Sequence, residues 1–290
     1  MPPTTKRNRK GITHKHQEAL VTTYRLQNIT PDAMAIAENN FTRSRRDNWR
    51  RYLRDLEIDG MLTSRRLCFS HPGGLSMPLG SFFCLTRYGA EVIADMAEIE
   101  VEDVIYPLNG IQASSPFQFP HRHGLIKILA SFIAAENANE ELFEVLDMWP
   151  EYQHNGLRKA TRVIIPGDNT IVIPDAILRF RVGETVRLAT VEFHRETDAR
   201  RIIQQLQNHK TAIEHNLFPT LFDYPYSNHV LSIHEDKGKL RGIIERLRGG
   251  EIPGFADFAP GFHFATLDDV IENGIRNAFY RLDGTKSDIF

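Results

Sequence analysis

"IVIPDAILRFRVGETVRLATVEFH", residues 171–194, holds the key to the architecture. Two apolar runs rich in Ile, Val, Leu and Phe flank a Gly-Glu turn, which reads as two adjacent strands. Asp175 opens the first strand after Pro174, and Glu192 and His194 lie near the end of the second. Strand alternation puts Glu192 and His194 on one side, with Val191 and Phe193 on the other. In that register the Glu-x-His pair faces the same cavity as Asp175.

Downstream, residues 197–218 form a long helix with Thr197 as its expected cap and Ile202, Ile203, Leu206, Ala212 and Ile213 inward. "HVLSIHE", "KGKLRGIIERLRGG" and "FHFATLDDVIENGI" then alternate strand, helix and strand-to-helix. Upstream, "HRHGLIKILASFIAAENA" (121–138) is an apolar helix, and "LFEVLDMW" and "RVIIP" are strands. Strands first in antiparallel order and then alternating with helices predict a mixed α/β core over 121–290.

Residues 98–120, acidic at first and then proline-rich, read as a linker. Before it, 11–97 carry two short helices, the second starting at Thr30-Pro31. A third helix places Trp49, Tyr52, Leu53 and Leu56 on one face and ends at Gly60. "GMLTSRRLCFS" and "SFFCLT" form a hairpin around "HPGGLSMPLG", and a further helix is capped by Thr86. Three helices, a hairpin and a closing helix are the parts of a winged helix-turn-helix, giving an α+β chain of two modules.

The 290 residues, 41% of them hydrophobic, can bury a sizeable core. A net charge of −2 excludes a uniformly basic coat, so nucleic-acid affinity must come from local clusters. The third helix supplies one in Arg43, Arg45, Arg46, Arg50, Arg51 and Arg54, opposite its apolar stripe. Its guanidinium groups suit phosphates and guanine edges. Alternatively they form a solvated face, with Arg50 and Arg51 paired to Asp47 and Arg54 to Asp55 or Glu57. Arg65 and Arg66 sit at the base of the hairpin, and the tail 1–10 is basic, an arm for phosphates or the minor groove. The two cysteines, Cys68 and Cys84, suit a reducing compartment and give too few thiolates for a zinc knuckle. No apolar run nears the roughly 20 residues that cross a bilayer, so a cytoplasmic location is expected.

Acidic side chains on adjacent strands are what metal-assisted phosphodiester hydrolysis requires, since hard oxygens hold the ion. The helix after the second strand offers Gln204, Gln205 and His209 to the same region, with Arg195 and Glu196 at its mouth. Equally, Asp175 can simply end a strand and Glu192 pair with Arg195 or Arg179 in a core kept for binding DNA. The pairs His14/His16 and His121/His123 are two residues apart and do not share a helix face, which argues against zinc. Tyr224 and Tyr226 are read as loop packing rather than as a nicking nucleophile.

The order of "VIPDAILRF", "TVEFHRETDARR" and "HVLSIHEDKGKLRGIIERL" after a winged helix and "HRHG" resembles the replication-relaxation proteins of mobile elements. It is also similar to the related plasmid-mobilisation relaxases of PD-(D/E)xK nuclease type. The resemblance implies a DNA-binding enzyme that nicks double-stranded DNA at an origin, with Mg²⁺ or Mn²⁺ on Asp175 and Glu192. It implies catalytic roles for Asp175, Glu192, His194 in the lysine position, and His123 on the first core helix. The departure at His194 leaves open a non-catalytic accessory protein or transcriptional regulator. Further expected partners are other mobilisation or replication proteins and a second copy of the chain.

Overall fold

A computed structural model describes residues 11–70, 76–106, 116–138, 142–152, 154–155, 158–159, 161–195 and 198–290. The basic tail 1–10, the hairpin tip 71–75, Glu196 and the expected cap Thr197 lie outside the described residues. The chain begins with α1 (His14–Leu26), α2 (Pro31–Ala37) and α3 (Arg43–Ile58). Each starts at a threonine whose hydroxyl accepts a helix-start N–H: Thr13, Thr30 and Thr42. Trp49, Leu53 and Leu56 of α3 are buried, as the periodicity predicts. Strands β1 (Leu62–Ser70) and β2 (Ser76–Leu85) form an antiparallel hairpin with a bulge at Leu67/Cys68, and α4 (Arg87–Ala97) follows its Thr86 cap.

The second part opens with α5 (Phe119–Ala138), which starts two residues before the expected boundary. Strand β3 (Phe143–Pro150) follows, then two small antiparallel pairs, β4 (His154–Asn155) with β5 (Arg158–Lys159) and β6 (Val163–Ile164) with β7 (Ile171–Val172). The run predicted as one strand over 170–182 is thus broken. Its second half is β8 (Ala176–Val182), separated from β7 by Pro174 and Asp175, because proline cannot donate to a ladder. Next come β9 (Thr185–His194), α6 (Ala199–Glu214), α7 (Leu217–Leu221), β10 (His229–His234), α8 (Lys237–Arg248), β11 (Phe262–Thr266), α9 (Leu267–Asn273) and α10 (Ile275–Ala278). The cap of α6 is Asp198, whose carboxylate accepts from the Arg200 N–H.

The five-stranded sheet has the order β11-β10-β9-β8-β3. Strands β3, β8 and β9 are antiparallel, and β9, β10 and β11 are parallel. The change of direction at β9 follows from the chain, since the Gly183-Glu184 turn joins β8 to β9 antiparallel, whereas helices α6 and α8 make the parallel crossovers to β10 and β11. Helix α5 covers one face and α6 with α8 the other. One continuous apolar cluster runs from Ala19 in α1 through Trp49, Phe82 and the buried side of α5 to Phe193 and Ile289. The N-terminal helices and the sheet therefore share a core through α5.

Where α5 crosses β9 the helix carries Gly124, and a methyl group there would overlap the Phe193 ring. Helix propensity favours alanine over glycine by about 1 kcal/mol, whereas overpacking costs about 1–3 kcal/mol. Overpacking is expected to win. Gly124→Ala should lower the urea midpoint, and an unchanged or raised midpoint would show that α5 does not pack this closely.

Candidate functional site

Asp175 stands where β8 begins, and continuing the β8–β9 register one step past Ala176 and Val191 puts it opposite Glu192. Its carboxylate closes the end of the strand. Oδ2 accepts the Phe193 N–H at 2.7 Å, and Oδ1 lies 2.9 Å from His121 Nε2 on the first turn of α5. The carbonyl of Asp175 accepts the Glu151 N–H at 2.7 Å, tying in the chain that leaves β3. The His121 ring stacks on Phe193 with centroids 5.5 Å apart.

The first-helix histidine that meets the acid pair is therefore His121, not His123 as expected. His123 points to the N-terminal helices, with Nε2 3.4 Å from Asp32 Oδ2 on α2 and its ring against Phe119. The physical reason is rotation. Residues two apart on a helix point to different sides, so only one histidine of His-Arg-His can face the sheet.

Glu192 lies on the opposite face of β9 from Phe193, 4% exposed, with Oε1 2.6 Å from His209 Nε2 on α6. His209 Nδ1 lies 3.4 Å from the Thr190 hydroxyl. His194 is also buried. Its Nε2 lies 3.1 Å from Ser232 Oγ, which lies 3.0 Å from His234 Nε2. Among the described residues no hydrogen bond joins His194 to Asp175 or Glu192, so the lysine-position residue is engaged within the sheet face. Of the other polar groups expected from α6, Gln204 bonds Asn208 on the exposed side. Arg195 and Arg179 bind Glu235 and Asp147, respectively, rather than Glu192.

Burial, and then the charge of Asp175, holds the Glu192 carboxyl well above the ordinary carboxylate range. Burial opposes charging of His121, but the hydrogen bond and charge of Asp175, with Glu151 and Glu192 behind it, raise it above the usual histidine value. Burial pushes His209 down to about 4. Burial and the neighbouring His234 push His194 down to about 3, and burial alone pushes His234 down to about 4. These three rings are neutral near pH 7.

The donor chemistry suits a hard divalent cation. The register sets the two acids opposite each other along the backbone, but His121 of α5 holds the Asp175 carboxylate from one face and His209 of α6 holds Glu192 from the other, so the hydrogen bonds do not form the single shared face expected from strand alternation. Burial first, and then the charge of Asp175, pushes Glu192 toward its protonated form. Among the described residues no group of three His, Cys, Asp or Glu side chains is arranged to hold a metal ion.

The arginine helix lies apart from this pair. Arg45 is tied to Glu38 at the end of α2, which also accepts from Lys15 and, at 2.9 Å, from the Trp49 indole. Arg46 lies 3.5 Å from Asp32. Arg50 pairs with Asp47 at 2.5 Å, as one reading of the sequence expects, whereas Arg51 lies over the Tyr52 ring. Glu57 accepts from the Ser64 N–H and hydroxyl instead of meeting Arg54. The outward set is thus Arg43, Arg50, Arg51 and Arg54, all exposed. On the hairpin, Arg66 is exposed and Arg65 half-buried. Tyr224 donates to the Val186 carbonyl at 2.9 Å and packs edge-on against Tyr226, in keeping with loop packing.

No protein-family model, curated protein or solved structure matches the chain. Among the described residues no helix is long and apolar enough to cross a membrane.

The site sets the response to acid. His194, His209 and His234 titrate near 6.5 when unfolded and well below that when folded. Their contribution to folded stability is therefore complete above about pH 6.5 and is lost as pH falls toward the folded values. One such ring costs about 3 kcal/mol by pH 4, a sizeable part of a typical margin of about 5–15 kcal/mol. Urea titrations from pH 7 to 4 should show the midpoint falling steeply. Glu192 has the opposite sign: its contribution is complete below about 4.5 and is lost as pH rises through its raised folded value. Glu192→Gln should leave stability near pH 5 little changed and raise it at alkaline pH. A variant less stable than the wild type at pH 9 would refute the buried, proton-holding glutamate.

Proposed function

We infer that the protein binds duplex DNA through α3 and the β1–β2 hairpin and cleaves a phosphodiester at Asp175 and Glu192. The observation that carries this reading is the register that sets Asp175, at the start of β8, opposite Glu192 on β9, with His121 holding the first carboxylate and His209 the second. The order α1–α2–α3–hairpin–α4 supports a winged helix-turn-helix, and α5–β3–β8–β9–α6–β10 supports a PD-(D/E)xK-like nuclease core. The suggested setting is origin DNA of a mobile element.

Asp175 and Glu192 would hold Mg²⁺ or Mn²⁺, which when bound polarises a phosphate oxygen and neutralises developing charge. The chain's own residues prepare the site. The Phe193 N–H and His121 fix the Asp175 carboxylate, while His209 holds Glu192. Their fixed geometry avoids reorganisation during reaction. His123 is left out of the catalytic set, and His194 supports the sheet face through Ser232.

One observation favours a second reading, a non-catalytic accessory protein or regulator that uses the same DNA face. Glu192 is buried and bonded to His209, and the lysine position is filled by a neutral, internally bonded His194.

Nicking of supercoiled origin DNA to open circles, with Mg²⁺ or Mn²⁺, separates the two. Asp175→Asn and Glu192→Gln should each abolish nicking while duplex affinity stays within about twofold, because the α3 surface is untouched. Absence of nicking by the wild-type protein with either ion would establish the accessory role. Replacing Arg50, Arg51 and Arg54 with Ala should weaken duplex binding and flatten its salt dependence by about one unit of slope for each phosphate that is no longer neutralised. An unaltered salt slope would remove α3 from the interface.

A further inference from the structure

A cleft of about 420 Å³ opens between the α2–α3 turn, the second half of α5 and the α9–α10 bend, away from the acid pair. Its floor is α5, where Ser131, Ala134, Ala135 and Ala138 are short enough to leave a shallow shelf. One wall is Phe41, a phenylalanine 42% exposed. The rim carries amides and charges, namely Asn39, Asn40, Asn273, Asn277, Glu272 and Arg276.

The exposed ring is not an isolated surface residue. The Arg46 guanidinium lies 5.3 Å and the Lys127 ammonium 5.8 Å from its centroid, and both cations also face Asp32, so they hold the ring in place rather than line the cleft. Asn39 donates through Nδ2 to the Ala134 carbonyl at 2.8 Å, which holds the α2 end of the cleft against its floor. Asn40 uses its Oδ1 to accept from Thr42, and among the described residues no partner engages its Nδ2. Arg276, in the last turn of α10, is exposed, and no described residue pairs with it.

An aromatic wall, a floor of short side chains, an amide donor, a carboxylate and a cation at the edge match one ligand class. A nucleobase presents a π-face and a mixed donor and acceptor edge, and its phosphate needs a cation. The cleft volume lies in the range of small-molecule sites, roughly 300–1,000 Å³. Asn39, Asn273 and Asn277 already donate to the Ala134 carbonyl, Asp269 and the Asn273 carbonyl, so the polar groups a ligand can meet are Asn40 Nδ2 and Glu272. A lipid tail would set these two against hydrocarbon, and inorganic phosphate would leave the ring and the shelf bare.

We propose that this cleft binds one unstacked purine nucleotide, with the base between Phe41 and the small-residue shelf of α5 and the phosphate toward Arg276. Asn40 Nδ2 and Glu272 read the base edge, Glu272 accepting from an exocyclic amine. The nucleotide can come from a single strand or be free in solution. The cleft borders α3, since Arg43 follows Phe41 by two residues, so a strand leaving a duplex on that helix is within reach. The assignment rests on the cleft's own residues and not on cleavage at Asp175.

The test uses the full chain and the fluorescence of 2-aminopurine, presented as its deoxynucleoside monophosphate and within a short single-stranded oligonucleotide. At least one form should bind saturably with a change in fluorescence. Phe41→Ala removes the aromatic wall and Ala135→Leu fills the shelf, and each should weaken binding about tenfold, the effect of losing one base–aromatic stack. Tighter binding of the oligonucleotide identifies a single strand as the source, and equal binding of the monophosphate identifies a free nucleotide. Both outcomes support the site. It is overturned if neither form binds saturably, if Phe41→Ala and Ala135→Leu both bind like the wild type, or if an abasic oligonucleotide competes as well as the purine one. Replacing Arg50, Arg51 and Arg54, which do not line the cleft, should leave this binding intact, so failure of the duplex interface is read separately.

Discussion

The two oxygens of the Asp175 carboxylate hold together three parts of the molecule that the chain brings from far apart. One accepts the Phe193 N–H and so extends the β8–β9 ladder past the point where Pro174 ends it. The other meets His121 and fixes the first turn of α5 against the rim of the sheet. Because α5 is also the helix on which α2 packs, the N-terminal helices take their place from the same junction. Such a carboxylate is restrained before any ligand arrives, which is what a chemical site requires and what a strand-ending residue alone does not.

Much of this was legible in the sequence, and the rest was hidden for definable reasons. Periodicity gave α3 its buried Trp49, Leu53 and Leu56, and alternation put Glu192 and His194 on one side of β9 with Phe193 on the other. Pro174 marked where β8 could begin. The choice between His121 and His123 was not available, because it depends on how α5 is rotated against the sheet, and a mostly apolar helix gives no single stripe to set that rotation. Arg45 and Arg46 looked equivalent to their neighbours on α3. Their partners Glu38 and Asp32 lie on another helix, and pairing between helices follows from packing rather than from spacing. His209 could be placed near the site from its position on α6, but its bond to Glu192 required the crossing of α6 over β9.

The face of β9 and β10 beneath α6 carries Thr190, Glu192, His194, Ser232 and His234, all nearly inaccessible, with His209 above them. An apolar set at these positions would pack a sheet against a helix with less cost, since buried polar groups must each find a partner. His234 Nδ1 finds none among the described residues. The chain thus accepts an expensive interior next to its acid pair, a pattern expected where residues are retained for chemistry rather than for stability.

The hairpin meets α5 at a crowded point, the Phe119 ring, two residues before His121. A Cβ at Gly80 would lie 2.6 Å from that ring, and Phe82 packs on it with centroids 4.6 Å apart. Together with the α2–α5 packing, this leaves little slack between the arginine-bearing helix and the acid pair. If the duplex binding and cleavage proposed above both hold, the molecule would behave as a ruler and not as a tethered blade. The scissile bond would then fall at one fixed offset from the recognised sequence, and changing that offset would require re-cutting the helix packing itself.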